Sequence, residues 1–492
     1  MKIHYSMVVV AMAGVIVGCR TADVELIKGH SASVASGNYS QEIAELSTRS
    51  DEVSQSQLLW TLDTAMSYSL LGQYDESNRF FDRAEDILQE NDMTSSTYKG
   101  ANQTAAFLSD DFALDYDCGG TERTFCNIYK AQNYAAQGKT AAANVELNRA
   151  CTRQEAWLDK CKDRITAEQK KIDADVKNYD ESNKKSEFST AYSEVLANDS
   201  LKGDLFSTYG FDPTKNDDTN LLAERDFMNP YLCHLTGVMK RITMSEGGNM
   251  HLKDAARLLP ANPVVAADHT DAESGVYPKN KVWVYIEDGM CAELSEVRIA
   301  FPKRIPLLKH YAKNAFFHLP KLTPSSADDV EYSIAGSDLV EITDVDAMLL
   351  SDFKVRLNGI VAREVAKRVS QITLQVAAGA ARDVAVGVAA VNAVKGKKSS
   401  AKTAAIVALG SELVNVGMKA YNYSTQSVDI RSWNSLPKRV LVARLDRPAD
   451  GKVVITAGVE RLEVPVGSNN SIVWVRKPSN TAPAVVKTFF AN

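Results

Sequence analysis

The sequence predicts an α+β chain that is mainly helical. Helical hairpins come first, followed by a small antiparallel β part interrupted by an Ala-rich helical hairpin. Three observations carry this. Apolar residues recur at helical spacing from Leu58 onward. Alternating apolar runs bounded by turn residues begin after Pro263. Between those runs, a stripe stepping by three or four from Phe353 to Val376 marks a further long helix. A chain of 492 residues exceeds the size at which one core keeps growing, so two or three domains are expected. The expected division is 1–18 export signal, 19–50 flexible tether, 51–265 helical repeats, 275–350 β-rich part, 351–423 helical hairpin and 424–492 terminal β part.

Met1-Lys2 opens with a positive charge, Met7 to Val17 is uncharged and apolar, and the run ends in Ile16-Val17-Gly18-Cys19. That apolar run is short for a bilayer span and suits an export signal. Its last four residues fit a lipobox, in which the Cys19 thiol takes a diacylglycerol and small Gly18 lets the signal peptidase reach the bond. The expectation is an exported, lipid-anchored protein attached to a membrane through Cys19. Arg20, in place of the Asp that retains lipoproteins in the inner membrane, points to the outer membrane. Residues 20–50 are Ser-rich and read as a tether with a mean reach of roughly 30 Å.

Trp60, Ala65, Tyr68, Gly72, Tyr74, Ser77, Phe81 and Ala84 fall close to the spacing of a tetratricopeptide (TPR) repeat. Small residues let two helices approach, Tyr68 and Phe81 fill the space between them, and Gly72-Gln73-Tyr74 turns the chain. A second copy runs through Ala131, Tyr134, Gly138, Ala143, Leu147 and Ala150, with a weaker third from Gly237 to Pro260. A generic antiparallel bundle would bury the same residues. Residues 153–200 continue as charged helix anchored by Trp157, and Gly203 to Asn220 reads as a loop. Its Asp212, Asp217 and Asp218 lack the glycine and terminal glutamate of a calcium loop.

Val282 to Ile286, the turn Glu287-Asp288-Gly289 and a return strand from Glu296 to Phe301 open the β part. Ala315 to Leu319 and Val330 to Ile334 extend it. Ala377 to Ala420 reads as two close-packed helices joined by the basic turn 395–400, with Ala381, Ala385, Ala389 and Ala393 as a contact face; membrane contact is the alternative. Val440 to Leu445, Val453 to Ala457, Val459 to Val464 and Ile472 to Val475 alternate as a terminal sheet.

The net charge of −6 argues against a nucleic-acid partner. Of seven cysteines, lipidation of Cys19 leaves six, an even number that suggests disulfides in an exported protein. Cys126 and Cys151 fall at adjacent ends of the second hairpin and form a candidate disulfide. No Cys-x-x-Cys pair, Gly-x-Ser-x-Gly elbow, His-Glu-x-x-His helix or phosphate loop occurs, so no catalytic residue, metal ligand or cofactor is expected. His269-Thr270-Asp271 reads as a surface loop. Asn229-Pro230 suits the capped start of a helix. In Asp429 to Pro437, Arg431 and Trp433 are candidates either for a recognition point or for a clasp that joins helices to the terminal sheet.

Several phrases, in order, resemble a family of uncharacterised bacterial TPR-type envelope lipoproteins. They are Leu59-Trp60-Thr61-Leu62-Asp63, Ser77-Asn78-Arg79-Phe80-Phe81, Asp117 to Glu122 with Tyr129 to Tyr134, Arg225 to Tyr231, Glu287-Asp288-Gly289 and Asp429 to Pro437. Asn127 departs from the pattern, standing where a large apolar residue is usual, and the cysteines lie outside it. The resemblance implies an envelope lipoprotein with an N-terminal helical repeat region, and it transfers no catalytic residue. The expected function is a non-enzymatic scaffold that binds a protein partner of the cell envelope. The alternatives are a surface lipoprotein binding glycan or a neighbouring subunit, and a cell-wall enzyme.

Overall fold

The computed structural model describes residues 23–97, 114–183, 187–214, 227–302, 305, 315–325, 330–394 and 428–491. The chain is mixed α and β and mainly helical, with twelve helices among the described residues. The expected export signal, Cys19, the basic turn 395–400 and residues 401–420, expected as the second Ala-rich helix, lie outside them.

Residues 23–50 depart from the expected tether. Helix α1 spans residues 23–36 and α2 spans Ile43–Asp51. Their sparse apolar residues Leu26, Ile27, Val34 and Leu46 are buried in the main core. The serines that read as linker composition bond locally instead: Ser36 Oγ donates to Ser33 O at 3.1 Å and Ser50 Oγ to Ser47 O at 2.7 Å.

Three helix pairs follow, α3 (Gln57–Leu70) with α4 (Tyr74–Thr97), α5 (Gly120–Ala136) with α6 (Thr140–Asn183), and α9 (Pro230–Ile242) with α10 (Gly248–Leu258). Gly72 and Gly138, both at positive φ, make the first two turns. Small residues set the close approach. Ser77 Oγ donates 2.7 Å to Ala65 O across the first pair. A Cβ on Gly237 would stand 2.6 Å from Leu252 Cγ and 3.0 Å from its backbone nitrogen in the third. Helices α7 (Glu187–Leu196) and α8 (Asp199–Tyr209) come between the second and third pairs, and α11 (Pro263–Glu273) follows the third. Residues 203–209, expected as loop, belong to α8, whose start is capped by Asn198 Oδ1 accepting from the Ser200 and Leu201 amides.

The strands are β1 (Lys281–Asp288), β2 (Glu293–Ala300), β3 (Phe316–Thr323), β4 (Tyr332–Ile334), β5 (Val340–Asp344), β6 (Arg439–Asp446), β7 (Lys452–Ala457), β8 (Glu460–Pro465), β9 (Ser471–Lys477) and β10 (Val485–Phe490). The main sheet has the order β10-β9-β1-β6-β5, and β1 pairs parallel with β9, so it is not purely antiparallel. The return strand β2 does not pair with β1; it pairs with β3 in a separate ribbon. β4, β7 and β8 form a third sheet.

Alternation along the main sheet explains its place. Trp283, Tyr285, Val440, Val442, Ile472, Trp474 and Phe489 face the helices and share their core. Val282, Val284, Ile286, Leu441, Ala443, Val473 and Val475 pack on Val453, Ile455 and Val464 of the third sheet. The long helix α12 (Val345–Val394) buries Phe353, Leu357, Val361, Val365, Val369 and Ile372, the predicted stripe, against α7, α8 and the β2–β3 ribbon.

Candidate functional site

The main sheet lies on the inner side of α3, α5 and α9, and three buried polar centres form along that contact. At the first, α5 begins beside the segment Val428 to Leu436. Arg431 is 2% exposed and grips Asp429 in bidentate fashion, Nε to Oδ1 at 2.8 Å and Nη2 to Oδ2 at 2.7 Å. It also donates to the carbonyls of Gln55 at 2.9 Å and Leu114 at 2.8 Å. Burial is the largest influence and works against the guanidinium, but the charge and hydrogen bonds of Asp429, with Tyr116 and Asp23, together hold its pKa above the usual value. Trp433 inserts edge-on against Phe81 and Tyr129, 6.1 and 6.2 Å between ring centres. Its amide donates 3.1 Å to Glu122, whose other oxygen accepts from Gly119 N. Arg431 and Trp433 thus join α3, α4 and α5 to the β part, with their polar groups turned inward.

The second centre was not foreseen from sequence. His234 of α9 lies between two groups: Nε2 is 2.9 Å from Asp268 Oδ2, and Nδ1 is 2.9 Å from the Tyr285 hydroxyl. Asp268 also accepts from Trp283 Nε1 at 2.8 Å and pairs with Arg444 at 3.2 Å. A hydroxyl, an imidazole and a carboxylate in line have the order of a nucleophilic relay. Yet His234 and Tyr285 are fully buried, and the neighbouring cavity, lined by Val238, Leu252, Asp268 and Trp283, has no room for a water molecule. With both groups buried, the relay ties α9, α11 and β1 together. The sequence signal was hidden by the separation of His234 and Asp268, 34 positions apart. His269 and Asp271, the pair noticed instead, diverge to Glu273 and Arg444.

The third centre spans α3, α5, β1, β9 and β10. Lys487 Nζ donates to Ser69 Oγ at 2.7 Å, Asn133 Oδ1 at 2.8 Å and Gln132 Oε1 at 3.4 Å. Burial drives its pKa down to about 8, against the pull of the Glu287 carboxylate. Glu287 Oε1 accepts from Gln132 Nε2 at 2.5 Å and from Tyr231 at 3.4 Å. Arg476 donates to the carbonyls of Glu287, Gly289 and Ser435. These residues also escaped the sequence reading. Their signal was a Lys at the inward position of Val485-Val486-Lys487-Thr488-Phe489 and a Glu ending the inward series Trp283, Tyr285.

The remaining candidates have separate places. Cys126 and Cys151 form no disulfide. Cys126 Sγ faces back to Phe81 O at 4.0 Å, whereas Cys151 Sγ faces forward to Thr236 and His251, at 3.8 and 4.0 Å. The two thiols point to opposite neighbours of their hairpin, and burial pushes both pKa values up, Cys151 to about 11. Asn127 joins the first two pairs: it donates to Glu85 at 2.5 Å and Glu146 at 2.6 Å and accepts from Arg153 at 2.7 Å. Beside it the buried Lys130 ammonium pairs with Asp82, Glu85 and Glu146 at 2.7, 2.9 and 3.2 Å. Asn229 caps α9 through Tyr231 N at 3.0 Å, with Pro230 in the first turn. Asp212 turns back on Thr214, and Asp217 and Asp218 lie outside the described residues. No helix among the described residues is long and apolar enough to cross a membrane. In comparison with known proteins, no family model, curated protein or solved structure matches the chain.

Proposed function

We propose that the chain is a lipid-anchored cell-envelope protein that acts as a non-enzymatic scaffold, held to the outer membrane through Cys19. In this reading the three helix pairs are a TPR-like stack, as the resemblance to TPR-type envelope lipoproteins implies. The observation that carries it is the filling of the inner helix face by the chain's own sheet. Ser69, Gln132, Asn133, Tyr231 and His234, which a free repeat groove would offer to a peptide, are spent on Lys487, Glu287, Thr343 and Tyr285. The stack is then a rigid frame, and an envelope protein partner meets its outer helices, where a repeat stack carries its remaining exposed surface.

The test is crosslinking in intact envelopes, followed by purification of the lipidated protein. One stoichiometric protein partner is the expected result. Retention on purified cell wall without a protein partner, or hydrolysis of that wall, would overturn the scaffold reading. Replacing Cys19→Ser is expected to release the protein from the membrane fraction; unchanged fractionation would remove the anchor.

A further inference from the structure

Two cations at the third centre lack what buried cations ordinarily have. Charged groups taken out of water are normally matched by an opposite charge in hydrogen-bond contact. Among the described residues, Lys487 donates only to the neutral oxygens of Ser69, Gln132 and Asn133, and Arg476 only to backbone carbonyls. The carboxylate in contact with this centre among the described residues, Glu287, gives Oε1 to neutral Gln132 and Tyr231. At neutral pH the centre therefore carries two positive charges against one negative.

Between these residues lies a cavity of about 10 Å³, lined by Tyr129, Glu287, Trp474, Arg476 and Lys487 with Met66 and Leu70 behind them. That is room for a single water-sized particle. Three of the lining side chains present buried polar donors that meet no well-aligned acceptor: Trp474 Nε1, Arg476 Nε and Tyr129 Oη, the last beside the Glu287 carboxylate. Their residues are 3, 4 and 1% exposed. Two of the three atoms can only donate, and the third can donate. Buried donors left unpartnered are costly, so their convergence on one void calls for an acceptor inside it.

We propose that this cavity is a binding site for one small anion of halide size, held by the donors of Tyr129, Trp474 and Arg476. The anion accepts all three hydrogen bonds and cancels the excess positive charge of Arg476 and Lys487. A water molecule would fill the space but leave that charge standing. A larger anion such as phosphate does not fit. The site joins α5 to β9 and β10, so its occupant stabilises the contact between helices and sheet.

The diffraction test uses the full chain refolded and crystallised in bromide, with data collected at the bromine absorption edge. An anomalous peak within hydrogen-bond reach of Trp474 Nε1 and Arg476 Nε is expected; water density with no anomalous signal overturns the proposal. In solution at pH 7, exchanging gluconate for chloride at constant ionic strength is expected to raise the melting temperature by about 2 °C. Trp474→Phe, which removes one donor with little change of shape, should abolish that increment. Equal melting of the unaltered protein in the two salts, or an increment that survives in Trp474→Phe, counts against the site. Should the variant fail to fold, the bromide experiment decides alone.

Discussion

Single residues at the contact between helices and sheet carry charge in places where composition would put apolar groups. Arg431 is the sharpest case, since its donors serve Asp429, Gln55 and Leu114 from separate parts of the chain. Arg431→Ala leaves those acceptors without a partner, and a loss of about 3–5 kcal/mol is expected. A urea titration followed by tryptophan fluorescence measures it; a shift below about 1 kcal/mol would remove the clasp role. His30 gives a pH-dependent counterpart. Burial disfavours its charged ring, but Asp63, with Nε2 to Oδ1 at 3.3 Å, and Glu42 outweigh burial and raise its pKa above 6.5. The folded state then holds a proton that the unfolded chain releases near pH 6.5. The stabilisation is complete below that value and is lost as pH rises through the raised one. Melting temperatures from pH 5 to 9 should show this fall in the unaltered protein and a flatter profile in His30→Gln.

At the scale of elements, helices were legible wherever small and large residues alternate at contact spacing. Gly237 and Gly203 separate the two jobs a helical glycine can have. A side chain on Gly237 collides with Leu252, whereas a Cβ on Gly203 meets nothing within 4 Å. Gly237→Ala should cost about 1–3 kcal/mol through overpacking. Gly203→Ala in α8 should gain about 0.5–1 kcal/mol from the unfolded state's lost freedom. Thermal melts of both variants check the opposite signs. Other elements were hidden for identifiable reasons. α1 and α2 look like linker because few apolar residues suffice to bury two short helices whose serines bond to their own backbone. β5 escaped because Val340-Glu341-Ile342-Thr343-Asp344 alternates over only five residues. β10 was masked by Lys487, whose charge breaks an otherwise plain inward series. Strand partners were the least legible feature: β1 runs parallel to β9, almost 190 residues later, and nothing in either segment marks the other.

Over the whole molecule, the helix pairs and the main sheet share one core. That core runs from Leu26 through the helix pairs to Phe489. A fragment ending before Val428 would leave Phe81, Tyr129 and the polar face of α5 uncovered. It is expected to lack cooperative urea unfolding and near-ultraviolet circular dichroism. A fragment that melts as sharply as the full chain would show the helices to be independent. The sheet order also has a consequence for how the protein is made. β1 is the central strand, and β9 and β10 close one side of it after every described helix has been synthesised. Until then Glu287 has no Arg476 beside it, and Ser69 and Asn133 have no Lys487. The nascent chain therefore carries a wet, half-built seam through nearly its entire synthesis. Products interrupted before β9 expose that seam, which marks them as incomplete to any protease or chaperone that reads unpaired strand edges.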